Sequence, residues 1–164
     1  MRFIADRTLG KLAKKLRVLG FDVVYWRGGN LEGAVKAAAS EGRVLLTRSH
    51  RLTEKIGDPQ VLIIEANDPR EQILQVLSAF NLQPEADQFF SRCLMCNEAL
   101  VPISKGEVEG KVPDFIHRTY DSFHICPRCH RIYWPGTHFQ RMKKEMAKTL
   151  RGQECEHHSI RPAS

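Results

Sequence analysis

The chain has 164 residues, of which 42% are hydrophobic and 27% are charged, and its formal net charge is +6 at pH 7. This is the composition of a soluble globular protein. No apolar run approaches the roughly 18 residues of a membrane span, and charge comes too early for a signal peptide, so we expect a cytoplasmic location. The modest basic excess suits a polyanionic partner but does not require one.

Short apolar segments and amphipathic segments alternate in the first half of the chain. Residues 2–5 predict a buried strand, and the next segment predicts a helix that ends at Gly20 and has the apolar face Leu9, Leu12, Ala13 and Leu16. The elements predicted next are a strand at 21–26, a helix at 31–40, a strand at 44–47, a short helix at 51–56 and a strand at 61–64.

A complete helix-start signal follows the last of these strands. Asp68 provides an N-cap acid, Pro69 occupies the first helical position and Glu71 the third. Strands that alternate with helices predict a parallel sheet, and strands that are apolar throughout predict that both faces of the sheet are covered. We therefore expect residues 1–82 to form a compact three-layer α/β domain with about four strands.

Four cysteines in two C-x-x-C pairs mark the second half, namely Cys93 with Cys96 and Cys126 with Cys129. In a reducing compartment such pairs indicate metal binding or redox chemistry rather than disulfides. A thioredoxin-like redox site needs one such pair beside a βαβ unit, whereas four thiolates suit a structural zinc ion with no open position for catalysis. His124 or His130, which flank the second pair, could replace one ligand.

The residue after each cysteine pair is expected to have a left-handed backbone conformation, which Asn97 and His130 tolerate better than most residues. Thr137 is predicted to cap a last helix with the apolar stripe Phe139, Met142, Met146 and Leu150. Residues 90–150 are thus predicted to form a zinc ribbon plus a C-terminal helix. Residues 151–164 are predicted to be a disordered tail, in which Cys155 has no evident role.

Acidic side chains follow several predicted strands at the point where each strand ends. Because the carboxyl ends of parallel strands meet at one edge, Asp6, Glu65 and Asp68 are expected to converge there, and Glu32 lies near a helix start. Clustered carboxylates bind Mg²⁺ or Mn²⁺, and such ions activate water against phosphodiesters. Nearby side chains that could hold phosphate groups are Arg7, Arg48 and Arg51.

Each of these residues also has a purely structural interpretation. Asp68 could serve only as a helix cap, Asp6 could cap the first helix together with Thr8, and Glu65 could be a solvated strand end. The basic residues of the first helix could form a solvated face or contact nucleic acid; they are Lys11, Lys14, Lys15 and Arg17.

Several segments resemble the Mut-seven C-terminal RNase domain family. They are residues 1–22, Gly42–Arg48, Ser91–Asn97, Cys126–Cys129 and Tyr133–His138. The resemblance implies a PIN-like nuclease fold followed by a zinc ribbon, and cleavage of RNA with Mg²⁺ or Mn²⁺ held by a small group of acidic residues. Asp6 matches the first-strand acid of the family, and Asp68 matches an acid near the fourth strand.

The chain departs from the family pattern at two positions. Ser49 follows Thr-Arg where many members have aspartate, and Asn30 and Leu31 replace the acid near the second helix start, with Glu32 as a neighbour. The first hypothesis is a metal-dependent ribonuclease in which Asp6 and Asp68 hold the ion with help from Glu65 or Glu32. In this hypothesis the structural zinc ribbon and the last basic helix extend the RNA-binding face. The predicted RNA-binding residues are Arg7, Lys11, Lys14, Lys15, Arg48 and Arg51.

Two other functions remain open at this point. One is a non-catalytic module that binds RNA or a ribonucleoprotein and has a degenerate acidic site. The other is a zinc-ribbon adaptor whose partner is a protein.

Overall fold

The computed structural model describes residues 1–52 and 59–156, and side chains up to residue 151. The chain divides into two compact units, Met1–Asn97 and Glu98–Ser164. Within the described part of the chain, no helix combines the length and the apolar character needed to cross a membrane.

The first unit is an α/β domain built on a four-stranded parallel sheet, whose strands lie in the order β2 (Asp22–Tyr25), β1 (Arg2–Ala5), β3 (Val44–Thr47) and β4 (Val61–Ile63). Ile4 of β1, one of the two inner strands, pairs with Val24 of β2 on one side and with Leu45 of β3 on the other. Its elements in chain order are β1 Arg2–Ala5, α1 Gly10–Val18, β2 Asp22–Tyr25, α2 Leu31–Glu41, β3 Val44–Thr47, a short 3-10 turn His50–Leu52, β4 Val61–Ile63 and α3 Pro69–Ala79. The predicted α/β fold class is confirmed.

Successive residues of β1 pack on opposite faces of the sheet. Ile4 forms a cluster with Leu45 and with Ala34 and Ala38 of α2. Phe3 contacts the rings of Phe21 and Phe80, at centroid distances of 6.1 and 5.7 Å. Helices α1 and α3 contact each other. With helices on both faces, every residue of β3 is buried, which explains why that strand is apolar along its whole length.

Two helix starts in this domain depend on side-chain caps. The Asp68 carboxylate accepts from the Arg70 and Glu71 backbone N–H groups at 2.8 and 3.3 Å, which confirms the predicted start of α3. Asn30 caps α2 by accepting from the Gly33 N–H at 2.9 Å. The residue near the position where the family pattern has an acid therefore serves here as a helix cap.

The second unit is built on a small antiparallel sheet with the order β5-β6-β7. Its core consists of Val108, Val112, Ile116 and Phe123. Its elements are β5 Val101–Ile103, a 3-10 turn Gly106–Val108, α4 Asp114–Thr119, β6 Phe123–Ile125, β7 Ile132–Tyr133 and α5 Thr137–Glu156.

Two segments differ from the prediction at their ends. Helix α5 continues to Glu156, through the first residues of the segment predicted to be disordered, and Lys, Leu, Arg, Gln and Glu near its end are good helix formers. Residues 157–164 lie outside the described residues. The helix predicted at 51–56 is described only as the 3-10 turn His50–Leu52, because residues 53–58 also lie outside.

Candidate active site and cysteine cluster

Asp6 lies at the carboxyl end of β1 and is almost fully buried. Its N–H donates to the Leu46 carbonyl at 3.0 Å, so it extends the pairing of β1 with β3. The chain leaves β1 toward β2 on one side, while β3 and β4 lie on the other. Asp6 is therefore at the topological switch point of the sheet, where open α/β folds bind their ligands.

The carboxylate of Asp6 accepts four hydrogen bonds from the protein. Oδ1 accepts from the Thr8 N–H at 2.8 Å and from the Thr8 hydroxyl at 2.5 Å. Oδ2 accepts from the Thr47 hydroxyl at 2.5 Å and from the Arg48 N–H at 3.4 Å. A carboxylate offers about four lone-pair sites, so all of them are engaged. Helix α1 itself begins at Gly10 without a side-chain cap, so Asp6 shapes the β1–α1 turn rather than capping the helix.

Arg48 connects the end of β3 with the loop that precedes α3. Its Nη2 donates to Asn67 Oδ1 at 2.5 Å, and Asn67 is next to the cap residue Asp68. Both capping bonds of Asp68 use Oδ1. Among the described residues, the Oδ2 atom of Asp68 has no hydrogen-bond partner, so this oxygen is available to a ligand.

The other two predicted acids lie in more open surroundings. Glu65 is exposed, with Oε2 at 3.5 Å from His50 Nε2, and Glu32 is exposed in the first turn of α2. Within residues 1–52 and 59–151, no set of three carboxylates or histidines comes close enough to hold one ion. The acidic residues thus form no preformed cage, and their assignment as metal ligands stays a prediction.

A cleft of about 660 Å³ opens beside α1, and we call it the basic cleft. Its cationic lining residues are Lys11, Lys14, Arg17, Arg27 and Arg48, and none of the described residues that line it is a carboxylate. Thr8 and Asn67 also line it, which places it next to the hydrogen-bond partners of Asp6 and Arg48. The electrostatic character of this lining favours an anion. Three predicted RNA-binding residues, Lys11, Lys14 and Arg48, line the basic cleft, whereas Arg7, Lys15 and Arg51 do not.

Tyr25 and Arg27 form one side of the basic cleft. The guanidinium of Arg27 lies over the Tyr25 ring at 5.5 Å from its centroid, and the Tyr25 hydroxyl donates to the Arg7 carbonyl at 2.9 Å. A Cβ atom at Gly10 would lie 3.2 Å from the Tyr25 ring, so the absence of a side chain at Gly10 lets the ring pack against α1. Sequence reasoning did not find this pair, since cation–π contacts have no characteristic sequence spacing.

The second site is the cluster formed by the four cysteines of the C-x-x-C pairs. Their Sγ atoms all lie within 4.8 Å of one another, and Cys93 and Cys126 are fully buried. Tetrahedral zinc with Zn–S bonds of about 2.3 Å requires sulfur–sulfur distances of about 3.8 Å, so the cluster fits such an ion. Within the part of the chain that the structure describes, neither His124 nor His130 belongs to the cluster.

The backbone after each cysteine pair has the predicted left-handed conformation. Asn97 has φ 70° and His130 has φ 58°. The Asn97 N–H donates to the Cys93 carbonyl at 2.9 Å, and the His130 N–H donates to the Cys126 carbonyl at the same distance. We call residues 93–97 the first knuckle and residues 126–130 the second knuckle.

Arg17 is the residue that sequence reasoning placed incorrectly. It is only 4% exposed, so its interpretation as part of a solvated helix face is wrong. Nε and Nη2 donate to the Val23 carbonyl at 2.9 and 2.7 Å, and Nη1 donates to the Leu94 and Met95 carbonyls at 2.8 and 3.1 Å. Arg17 continues the line Leu9–Ala13 at four-residue spacing, which is the signal that could have revealed its burial.

The electrostatics around Arg17 combine burial with nearby sulfur atoms. Burial lowers the pKa of Arg17, and the negative charges of Cys93 and Cys96 oppose that shift. The guanidinium remains charged, because the pKa of arginine starts so far above neutrality. A buried cation therefore lies close to the two cysteines of the first knuckle.

Asn97 attaches the first knuckle to β2 through its side chain. Its Oδ1 accepts from the Val23 N–H at 2.9 Å, and its Nδ2 donates to Asp22 Oδ1 at 2.7 Å. The same Asp22 oxygen accepts from Arg43 Nη1 at 2.6 Å. Burial raises the pKa of Asp22, but the hydrogen bonds from Arg43 and Asn97 and the charges of Arg43 and Arg92 outweigh it and lower the pKa overall.

The fold and the two sites define a protein with a parallel α/β domain, an acid at its switch point and a four-cysteine cluster compatible with a zinc ribbon. A family model described as the Mut7-C RNAse domain matches residues 1–146, and the chain belongs to that family. It is also 33% identical over 101 residues to the human protein named exonuclease mut-7 homolog. That match covers 58% of this chain and 12% of the relative, so the chain spans a small part of the relative's length. No solved structure matches the chain significantly.

The family match confirms the resemblance found in the sequence. Together with the relative it supports a function of the nuclease type.

Proposed function

We propose that this chain is a metal-dependent ribonuclease domain of PIN-like type, which holds RNA in the basic cleft and cleaves a phosphodiester beside Asp6. One observation carries this proposal: among the described residues, five cationic side chains and no carboxylate line the basic cleft, and the cleft shares Thr8 and Arg48 with the hydrogen-bond partners of Asp6. The backbone N–H of Arg48 contacts Asp6 and its guanidinium reaches Asn67, so a phosphate bound to that guanidinium would lie within one arginine side-chain length of the acid at the switch point.

The cationic residues would hold the RNA backbone. Lys11 and Lys14 are exposed on α1 and would contact phosphates as point charges, whereas Arg48 can donate two parallel bonds to one phosphate. Outside the basic cleft, further contacts to the RNA backbone would come from Arg7, Lys15 and Arg51. Most of this affinity is electrostatic, so we expect it to fall steeply with salt.

The residues at the sheet edge fit an ion held jointly with substrate better than an ion held by protein alone. Mg²⁺ commonly uses one or two carboxylates together with waters and substrate phosphates. Asp68 Oδ2 is available, and the long Arg48 N–H bond at 3.4 Å is the contact of Asp6 that an ion would replace most easily. Glu65 or Glu32 would assist through water. When bound, Mg²⁺ or Mn²⁺ would supply an activated water and stabilise charge on the phosphate.

The four cysteines would hold a structural zinc ion. With every position filled by a thiolate, this metal has no vacancy for a reacting water, so its role would be architectural. Thiolate ligands also suit the reducing conditions of the cytoplasm.

A second candidate function is a module that binds RNA, or a ribonucleoprotein, without cutting it. The observation that favours it is the saturated carboxylate of Asp6, together with Ser49 and Asn30 where the family pattern has acids. Asn30 is occupied as the cap of α2, and the Ser49 N–H donates to the Thr47 hydroxyl at 3.0 Å.

Incubation of the purified chain with a mixed set of labelled RNAs separates the two candidates. We expect cleavage with Mn²⁺, none with EDTA, and recovery on return of Mn²⁺ but not of Zn²⁺ alone. Asp6→Asn should abolish cleavage, while the matched control Asp87→Asn, on an exposed loop, should not. Cleavage that persists both in EDTA and in the Asp6→Asn variant would refute a mechanism in which carboxylates hold a metal ion.

Two further results would redirect the assignment. Binding of RNA that is sensitive to salt, without any cleavage, would favour the non-catalytic module. A chain that binds no RNA at low salt would point instead to a protein partner.

A further inference from the structure

The two residues between the first pair of cysteines line the basic cleft. Leu94 and Met95 share its lining with Lys11 and Lys14, and Met95 is 41% exposed. Neither side chain belongs to the cysteine cluster. A cleft lined by both apolar and cationic residues suits single-stranded nucleic acid, because the faces of bases are apolar while phosphates carry the charge. We call Leu94 and Met95 the apolar wall of the basic cleft.

Arg17 joins this wall to the α/β domain. One edge of its guanidinium donates to Val23 of β2, and Nη1 donates to the Leu94 and Met95 carbonyls. The guanidinium is planar and its donors have fixed directions, so these four bonds hold the carbonyls of the first knuckle in one position relative to β2. Arg17 itself also lines the basic cleft.

Asn97 provides a second tether at the other end of the first knuckle. Its side chain accepts from the Val23 N–H, and its backbone N–H closes the turn onto the Cys93 carbonyl. Residues 93–97 therefore do two things at once: their cysteines contribute two ligands to the metal cluster, and their intervening residues form a wall of the basic cleft.

We propose that the first knuckle is part of the RNA-binding surface, and that Arg17 is the positioning residue through which metal at the cysteines increases RNA affinity. This inference rests on the proposed binding of RNA in the basic cleft. Coupling between two binding sites is reciprocal, so RNA must increase zinc affinity by the same factor by which zinc increases RNA affinity.

The wall is tested with the zinc-loaded full chain and a short labelled single-stranded RNA of mixed sequence, without added Mg²⁺ or Mn²⁺. Met95→Glu should weaken binding roughly tenfold, since it places a like charge against phosphate, and should leave zinc content unchanged. The matched control is Phe115→Glu, which changes a residue that is 64% exposed and does not line the basic cleft. Equal RNA affinities for the two variants would overturn the proposal.

The coupling is tested by competition for zinc with a chelator, with and without the same RNA. Wild type should bind zinc more tightly when RNA is present. Arg17→Lys keeps the positive charge but lacks the planar guanidinium with its fixed donor directions. The coupling factor, which is the ratio of zinc affinities with and without RNA, should therefore fall toward one, while circular dichroism shows a folded chain. A coupling factor that is equal in wild type and Arg17→Lys would contradict the role of Arg17.

Failure of this inference can be told apart from failure of the proposed function. Wild type that binds RNA with the same affinity in zinc-loaded and zinc-free forms would refute only the coupling. Wild type that binds no RNA in either form would refute the proposed function and the inference together. If Arg17→Lys does not fold, Met95→Glu and the zinc dependence of wild type still decide the outcome.

Discussion

The first and second knuckles have the same cysteine spacing and the same closing hydrogen bond, but different parts of the molecule hold them. In the first knuckle, Asn97 is 8% exposed and bonds to β2, and Arg17 of α1 supports the carbonyls. In the second knuckle, His130 is exposed, and the Cys126 N–H donates to the Arg131 carbonyl at 3.0 Å, within the turn that joins β6 to β7.

This difference shows that one metal motif can have two kinds of support. The second knuckle is a tight turn of an antiparallel sheet and depends mainly on backbone hydrogen bonds. The first depends on side chains that come from distant parts of the α/β domain. Loss of these side-chain contacts should therefore disturb the first knuckle directly.

Removal of a metal ligand should have the largest effect. Cys126→Ser and Cys93→Ser should each lower the zinc stoichiometry from about one to near zero. Structural zinc contributes on the order of 10 kcal/mol to folding, so amides of the small core at 98–150 should exchange as in an unfolded chain. Amides of β1 and β3 should stay protected, because their core contains no metal. Hydrogen exchange measures the protection of the amides, and metal analysis measures the zinc stoichiometry. An unchanged zinc stoichiometry in the two variants would refute the four-cysteine site.

Arg17→Met should be the next most severe change. It leaves the Val23, Leu94 and Met95 carbonyls without their donor, and we expect a loss of about 3 kcal/mol in the free energy of unfolding. Lys14→Met, on the exposed face of the same helix, should cost less than about 0.5 kcal/mol. Urea denaturation monitored by circular dichroism measures the free energy of unfolding of both variants. Similar midpoints would show that the α/β domain does not support the first knuckle through Arg17.

A matched pair of substitutions tests the two left-handed positions directly. Asn97→Gly keeps the backbone conformation but removes the acceptor of the buried Val23 N–H, so it should cost about 1–3 kcal/mol. His130→Gly removes an exposed side chain and relieves a strained conformation, so it should be neutral or stabilise by up to about 1 kcal/mol. Thermal unfolding of the zinc-loaded variants measures both changes in stability. A larger loss of stability for His130→Gly than for Asn97→Gly would contradict the view that side chains mainly support the first knuckle.

The smallest expected effect is a pH dependence that belongs to the first knuckle. The pKa of Asp22 is lower in the folded chain, so its contribution to stability is present above the unfolded pKa of about 4 and is lost as pH falls through the folded pKa. Wild type should exceed Asp22→Asn in stability near neutral pH, and this difference should shrink below about pH 4. Urea titrations of the two proteins between neutral pH and acidic pH measure this difference in stability. A difference that grows on acidification would contradict the lowered pKa.

Local signals in the sequence account for most of the elements. Asp68, Pro69 and Glu71 predicted the start of α3, because a helix cap acts over three adjacent residues. Asn97 and His130 were predicted to be left-handed from their residue types and from the spacing of the cysteines. The strand at 44–47 was predicted with its observed ends, because both of its faces are apolar.

The sequence by itself therefore determined the α/β class and the four members of the cysteine cluster, which follow from short-range periodicity and from the spacing of the cysteines. Only the tertiary structure decided what surrounds Asp6 and which residues hold the first knuckle. The saturation of Asp6 arises from Thr47 and Arg48 on another strand, and the burial of Arg17 arises from carbonyls at Leu94 and Met95. Such contacts join residues far apart in the chain, and their geometry exists only once β1, β2 and β3 have been brought together.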